Sequence, residues 1–99
     1  MQLKDGDTEW RQMRAEIAAR AGQTQVEIAE LTAWLDQAPH SVDARSRRAR
    51  ARLAANLLPD ALQDANEAVQ VRPGHGELYL LRAEIEARLG NFAAASRDR

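Results

Sequence analysis

The sequence predicts an all-α chain, an α-solenoid of antiparallel helix pairs with five to six helices. Three observations carry that expectation. Residues recur every 34 positions: Gly22, Asn56 and Gly90; Ala15, Ala49 and Ala83; Arg14, Arg48 and Arg82; Ala61 and Ala95; Pro39 and Pro73. A fixed period of this length marks a stacked repeat in which each unit is one supersecondary element. Within a period, Gly, Asn and Pro divide the chain into helix, turn and helix, and no alternating Val/Ile/Thr run argues for strands. Hydrophobic residues make up 44% of the chain but aromatics only 4%, so small aliphatic side chains must supply the helix contacts.

The period divides the chain into a leader, residues 1–7, and a single domain, residues 8–99, with units 8–41, 42–75 and 76–99, the last incomplete. In the first unit, Asp7 or Thr8 is placed to cap a helix running to about Ala21, and Gly22 supplies the left-handed backbone that ends it. Thr24, with Glu27 three residues on, has the form of a capping box for the second helix. That helix stops before Pro39, because the residue preceding a proline avoids helical geometry. In the second unit, Ser41 or Asp43 opens a helix that ends near Asn56. Pro59 suits the first turn of the next helix, where a missing N–H costs nothing, and Pro73-Gly74 closes it. In the third unit a helix from about Gly76 to Leu89 is expected to end at Gly90, with a last helix from Asn91.

Composition excludes several classes of function. The 14 basic and 15 acidic side chains nearly balance, giving a net charge of −1, unlike the basic excess of a nucleic-acid binder or a polybasic membrane-surface protein. With no cysteine, there is no disulfide, thiol nucleophile or zinc–thiolate site. No apolar run approaches the ~18 residues of a membrane span, and no signal-peptide pattern opens the chain, so a cytoplasmic location is expected. His40 and His75 fall singly in inter-unit turns, Ser46 and Ser96 have no histidine at useful spacing, and no Gly-rich phosphate loop is present. No enzyme activity, metal or cofactor is expected.

A helix–turn–helix unit of this length and punctuation resembles the tetratricopeptide repeat. In the middle unit Ala49, Ala61, Ala68 and Pro73 stand at the family's small-residue, alanine and proline positions. In the third, Tyr79 stands at an aromatic position, and Ala83, Gly90, Phe92 and Ala95 follow in register. The first unit departs from the pattern, with Glu27 at an alanine position and Trp34 at a small-residue position, although Ala15, Gly22 and Pro39 fit. Arg11 and Arg45 occupy the family's aromatic position, Arg52 another large apolar one, and Arg14, Arg48 and Arg82 the position where leucine is most frequent. Arg45 and Arg52, seven residues apart on one helix face, need partners. Trp10 and Trp34, one on each helix of the first unit, are expected to plug the end of the stack; the alternative is an exposed patch for a partner, since Trp is enriched at interface hot spots.

Sixteen residues after each repeated arginine comes a carboxylate: Glu30, Asp64 and Asp98. An antiparallel helix pair brings such positions together, so structural ion pairs are expected for Arg14–Glu30, Arg48–Asp64 and Arg82–Asp98, with guanidinium forks gripping carboxylates. The segment Arg45-Ser-Arg-Arg-Ala-Arg-Ala-Arg52 holds five arginines in eight residues. On a helix these are expected to spread in three directions. Arg47 and Arg50 face the groove, Arg48 faces Asp64, and Arg45 with Arg52 faces elsewhere, with no aromatic platform for base stacking.

The resemblance implies a protein–protein interaction module, a scaffold or adaptor binding a peptide or helix in a concave groove lined by the first helix of each unit. Its groove positions map to Gln12, Met13, Glu16 and Arg20, to Ser46, Arg47, Arg50 and Leu53, and to Leu80, Leu81, Glu84 and Arg88. An acidic residue of the partner would sit near Arg47 and Arg50. The Lys and Asn with which some members clamp a terminal carboxylate are missing from these positions. The alternatives are a dedicated chaperone for one partner protein or a regulatory segment of a larger protein. The partner is expected to be a protein or peptide, with no nucleic acid and no membrane. The unfinished last unit suggests a homodimer, or continuation of the array, through the open C-terminal helix.

Overall fold

A computed structural model of the chain describes the backbone of residues 4–97 and the side chains of residues 9–90. It contains five helices: α1 (Lys4–Arg20), α2 (Thr24–Gln37), α3 (Val42–Ala54), α4 (Leu58–Val71) and α5 (Gly76–Arg97). Each packs antiparallel to the next in sequence, and α5 also touches α3. This is the nearest-neighbour connectivity of a helical solenoid. The molecule is elongated, about 60 × 31 × 18 Å.

The intra-unit turns are built alike. Gly22 has φ 74° and Asn56 φ 63°, both left-handed. At the first turn, Gly22 N–H donates to the Ala19 carbonyl and Gln23 N–H to that of Ala18. At the second, Asn56 N–H donates to Leu53 and Leu57 N–H to Arg52. Both are paired closing bonds that satisfy the last carbonyls of a helix. Asn tolerates the left-handed region better than other non-glycine residues, whereas an alanine there costs about 1–2 kcal/mol. Asn56→Ala is therefore expected to lower unfolding stability by about 1 kcal/mol in urea denaturation, and Asn56→Gly to keep or raise it.

Three boundaries differ from expectation. Helix α1 begins at Lys4, ahead of the caps expected at Asp7 or Thr8. The N-cap of α2 is Gln23, with no side-chain cap, rather than Thr24. The preceding turn already aims the Gln23 carbonyl at Glu27 N–H, which starts the helix one residue early. At α3, by contrast, Ser41 is the cap and its hydroxyl accepts from Ala44 N–H at 3.1 Å.

The third difference is that α5 runs through Gly90 to Arg97 without a turn. Glycine permits a left-handed turn but does not impose one. At Gly22 and Asn56 the turn is held because the next helix buries Leu31, Trp34 and Leu35, or Leu58, Ala61 and Ala65. Past Gly90 the Ala93-Ala94-Ala95 run has the strongest helix propensity, and the ladder continues. Ala83 consequently lies exposed, although its repeat equivalents Ala15 and Ala49 are buried.

The core lies between the units. One cluster joins Ala49, Leu53, Leu58, Ala61, Ala65, Leu81 and Ile85 across α3, α4 and α5. A second joins Ala15, Leu31, Trp34, Leu35 and Ala44 across α1, α2 and α3. Alanines at the helix crossings let the backbones approach, and leucines fill the spaces between them.

Candidate functional site

The inward face of α3 is charged. Asp64 on α4 is 1% exposed. Arg48 grips it through both fork atoms, Nε to Oδ2 at 2.9 Å and Nη2 to Oδ1 at 2.8 Å. Arg52 Nη1 donates to the same carboxylate at 2.8 Å, and Arg45 Nη1 lies 3.9 Å from it. Arg45 also donates to Glu67 and, at 2.7 Å, to the Pro39 carbonyl. The partners required by Arg45 and Arg52 are therefore Asp64 and Glu67. The expected third direction for these two arginines is corrected: Arg45, Arg48 and Arg52 converge. At this spacing three long side chains on adjoining turns reach one carboxylate, and burying that carboxylate requires them to do so. The hydrogen bond from Arg48 to Asp64 holds the guanidinium pKa above its ordinary value, against the opposing effect of burial.

Arg48 also reaches backward. Its Nη1 donates to Thr32 Oγ1 on α2 at 3.1 Å, and Arg82 Nη1 donates to Asn66 Oδ1 on α4 at 3.3 Å. Thr32 and Asn66 are themselves 34 residues apart. The repeated arginine thus ties its own unit to the preceding one, a role the sequence signalled by the polar residue sixteen positions upstream. In the first unit Arg14 Nε lies 3.2 Å from Glu30 Oε2, and Arg11 Nη1 is 3.8 Å from Glu30 Oε1. The Arg82–Asp98 pair falls outside the described residues. Arg82 itself lies over the Tyr79 ring at 5.2 Å.

The groove positions divide into three kinds. Leu81 (5% exposed), Leu53 and Ser46 are buried, so the expectation that they line the groove is corrected. Leu53 and Leu81 belong to the core because α3 and α5 turn those positions toward α4. Arg47 is held, its Nε 3.3 Å from Asp43 Oδ1 and its guanidinium 5.9 Å over the Trp34 ring. Glu16 pairs with Arg20 at 3.5 Å and Glu84 with Arg88 at 3.7 Å. Gln12 is half-buried, while Met13, Arg50 and Leu80 are exposed, Leu80 at 71%.

Between α3 and the start of α5 lies a cleft of about 310 Å³. Val42, Asp43, Ser46 and Arg50 form one wall and Arg72, His75, Glu77 and Leu78 the other, so two carboxylates share the lining with the two guanidiniums. Among the described residues neither Arg50 nor Arg72 has a carboxylate within salt-bridge distance, whereas His75 Nε2 lies 3.7 Å from Glu77 Oε1. The sequence places His75 in an inter-unit turn without a role and gives no signal for Arg72, because neither repeats at the 34-residue step. No cluster of three His, Asp or Glu suited to a metal occurs among the described residues. No described helix is long and apolar enough to cross a membrane.

The two tryptophans part company. Trp34 is 3% exposed in the core between α2 and α3, while Trp10 is 59% exposed with Arg14 stacked over its ring at 4.8 Å. The shared plug is corrected to one core residue and one surface residue. Trp10 lies on the side of α1 that no described helix covers.

No family model matches the sequence, and no curated protein does. Among solved structures, the TPR2B domain of yeast Sti1, solved in a complex with pHsp70, is similar over 90% of this chain and 71% of its own, with a TM-score of 0.80 and 20% identity. With that likeness and the five-helix array, the fold is that of a tetratricopeptide-repeat domain.

Proposed function

We propose that this chain is a protein-binding scaffold or adaptor that takes an extended peptide or helix along α1, α3 and α5. The cleft between Arg50 and Arg72 carries the proposal. It sets Arg50 and Arg72, neither within salt-bridge distance of a carboxylate among the described residues, beside the apolar side chains of Val42 and Leu78, with Asp43 and Glu77 at the same lining. Such a cleft suits an acidic side chain next to an aliphatic one, since a guanidinium fork matches a carboxylate and the aliphatic neighbour supplies apolar burial. Met13, Glu16 and Arg20 line a further hollow of about 200 Å³ on α1, and Leu80, Glu84 and Arg88 extend the surface along α5. Arg47, already held by Asp43 and Trp34, plays a supporting part.

The Sti1 domain was solved with a bound partner, and the same mode of use is proposed here, in the cytoplasm. The uncovered Ala83 side of α5 adds a place for a further helix or a second copy. Selecting displayed peptides on the full chain, with the Arg50→Glu/Arg72→Glu variant as counter-target, tests the proposal. Enrichment of acidic-aliphatic peptides that lose binding at least tenfold on the variant is expected. Peptides that bind both proteins equally would remove the cleft from the binding surface.

A further inference from the structure

The exposed side of α1 repeats a pattern that the rest of the molecule covers. Trp10, Met13 and Ile17 are 34 residues before Ala44, Arg47 and Ala51, and 68 before Leu78, Leu81 and Ile85. In α3, Ala44 and Ala51 are buried and Ala44 packs with Leu31 and Leu35 of α2. In α5, Leu81 and Ile85 pack with Leu62 and Ala65 of α4, and Leu78 with Val69. In α1 the same three positions are large, apolar and more than half exposed. A cleft of about 170 Å³ lies beside them, lined by Arg14, Ile17, Val26 and Glu30 among others.

The two covering helices share a register. Each presents an aliphatic side chain, then a polar one, then another aliphatic three positions later: Leu31, Thr32 and Leu35 in α2, and Ala65, Asn66 and Val69 in α4. The polar residue accepts a hydrogen bond from the repeated arginine of the next helix, Thr32 from Arg48 and Asn66 from Arg82. Arg14 is the third of these arginines. It has the carboxylate of its own unit, Glu30, and stands beside the uncovered stripe.

From this equivalence we infer that the Trp10–Met13–Ile17 face of α1 is a docking surface for an amphipathic helix of a partner protein. That helix carries aliphatic side chains at positions i, i+4 and i−3, matching Leu31, Leu35 and Ile28, and a hydroxyl or carboxamide at i+1 that accepts from Arg14. It lies antiparallel to α1, as α2 lies to α3. This surface is separate from the cleft at Arg50 and Arg72, although Met13 and Ile17 also line the hollow on α1. Large apolar residues in place of the alanines of α3 leave room for a helix whose own side chains are small at the crossing, as in α4.

The probe is a helix-constrained peptide with the α4 sequence, residues 58–71, titrated to about 1 mM into the full chain, a range that captures weak docking. Amide and indole NMR signals are followed. Saturating shifts are expected at Trp10, Met13 and Ile17, with none at Trp34 or Arg50. Replacing Asn66 by Ala in the peptide, or Arg14→Ala in the chain, should weaken the affinity about three- to tenfold, the worth of one hydrogen bond at a partly exposed site. Ile17→Glu should abolish the shifts while leaving the far-UV circular dichroism unchanged, since Ile17 is exposed. Absence of shifts, shifts centred elsewhere, or shifts that survive Ile17→Glu would overturn the inference. So would sedimentation showing a dimer of the unmodified chain that Ile17→Glu dissociates, because the occupant would then be a second copy.

Discussion

Replacing Asp64 with alanine is expected to destabilise the fold by about 3–5 kcal/mol, a large part of the stability available to a domain of this size. Among the described residues, Asp64 bears the only carboxylate that all three guanidiniums of the α3–α4 seam approach. Its removal leaves Arg48 and Arg52 half-buried with nothing in place of their hydrogen bonds at 2.8–2.9 Å. Glu67 remains, but it is tied to Arg45 at the rim. Asp64→Asn keeps the volume and removes the charge, so it should lose nearly as much, which separates electrostatics from packing. Urea denaturation at neutral pH measures both variants.

The charged seam stands where the resembled family places leucine and aromatic residues, at Arg48, Arg45 and Arg52. A buried cluster of this kind costs desolvation and returns it only when complete. Replacing the whole set by apolar residues of similar volume is frequently neutral or stabilising, whereas removing one member is not. The pH dependence has a definite sign. The Arg48 pKa is raised in the folded state, so its contribution is complete below the arginine's ordinary value and is lost only as pH rises through the still higher folded one. The Arg48 fork therefore adds no pH dependence between neutral pH and about pH 10, far below the ordinary arginine range.

Turn chemistry explains why so much of the fold was legible. Gly22 and Asn56 adopt the left-handed geometry their types favour, and alanines at crossing positions mark where helices meet. The Arg14–Glu30 and Arg48–Asp64 contacts follow from spacing alone, because an antiparallel hairpin about Gly22 or Asn56 brings equidistant residues together. What escaped the sequence needed tertiary information. Whether Gly90 turns depends on a helix packing behind it. The convergence of Arg45 and Arg52 depends on the reach of long side chains, which a helical wheel does not contain. Leu53 and Leu81 were assigned to the groove by family position, but the tilt of α3 and α5 against α4 carries them into the core. The Arg50–Arg72 cleft joins a helix to a non-repeating turn, and no periodicity predicts that.

The tryptophans give a second large effect with a built-in contrast. Trp34→Ala is expected to lower stability by about 3–5 kcal/mol, through lost burial and the cavity left between α2 and α3. Trp34 packs with Ala15, Leu31, Leu35 and Ala44, and these small or already committed side chains cannot collapse into an indole-sized space. Arg47 would also lose the ring beneath its guanidinium. Trp10→Ala, in contrast, should change stability by no more than about 0.5 kcal/mol, because its ring is mostly in solvent. Urea denaturation followed by circular dichroism compares the two without relying on either fluorophore. Equal losses would mean that Trp10 is covered in the folded chain, which would take away the exposed stripe on α1 as well. A large loss at Trp34 alone fixes the α2–α3 seam as the core of the first unit and leaves Trp10 free to meet a partner.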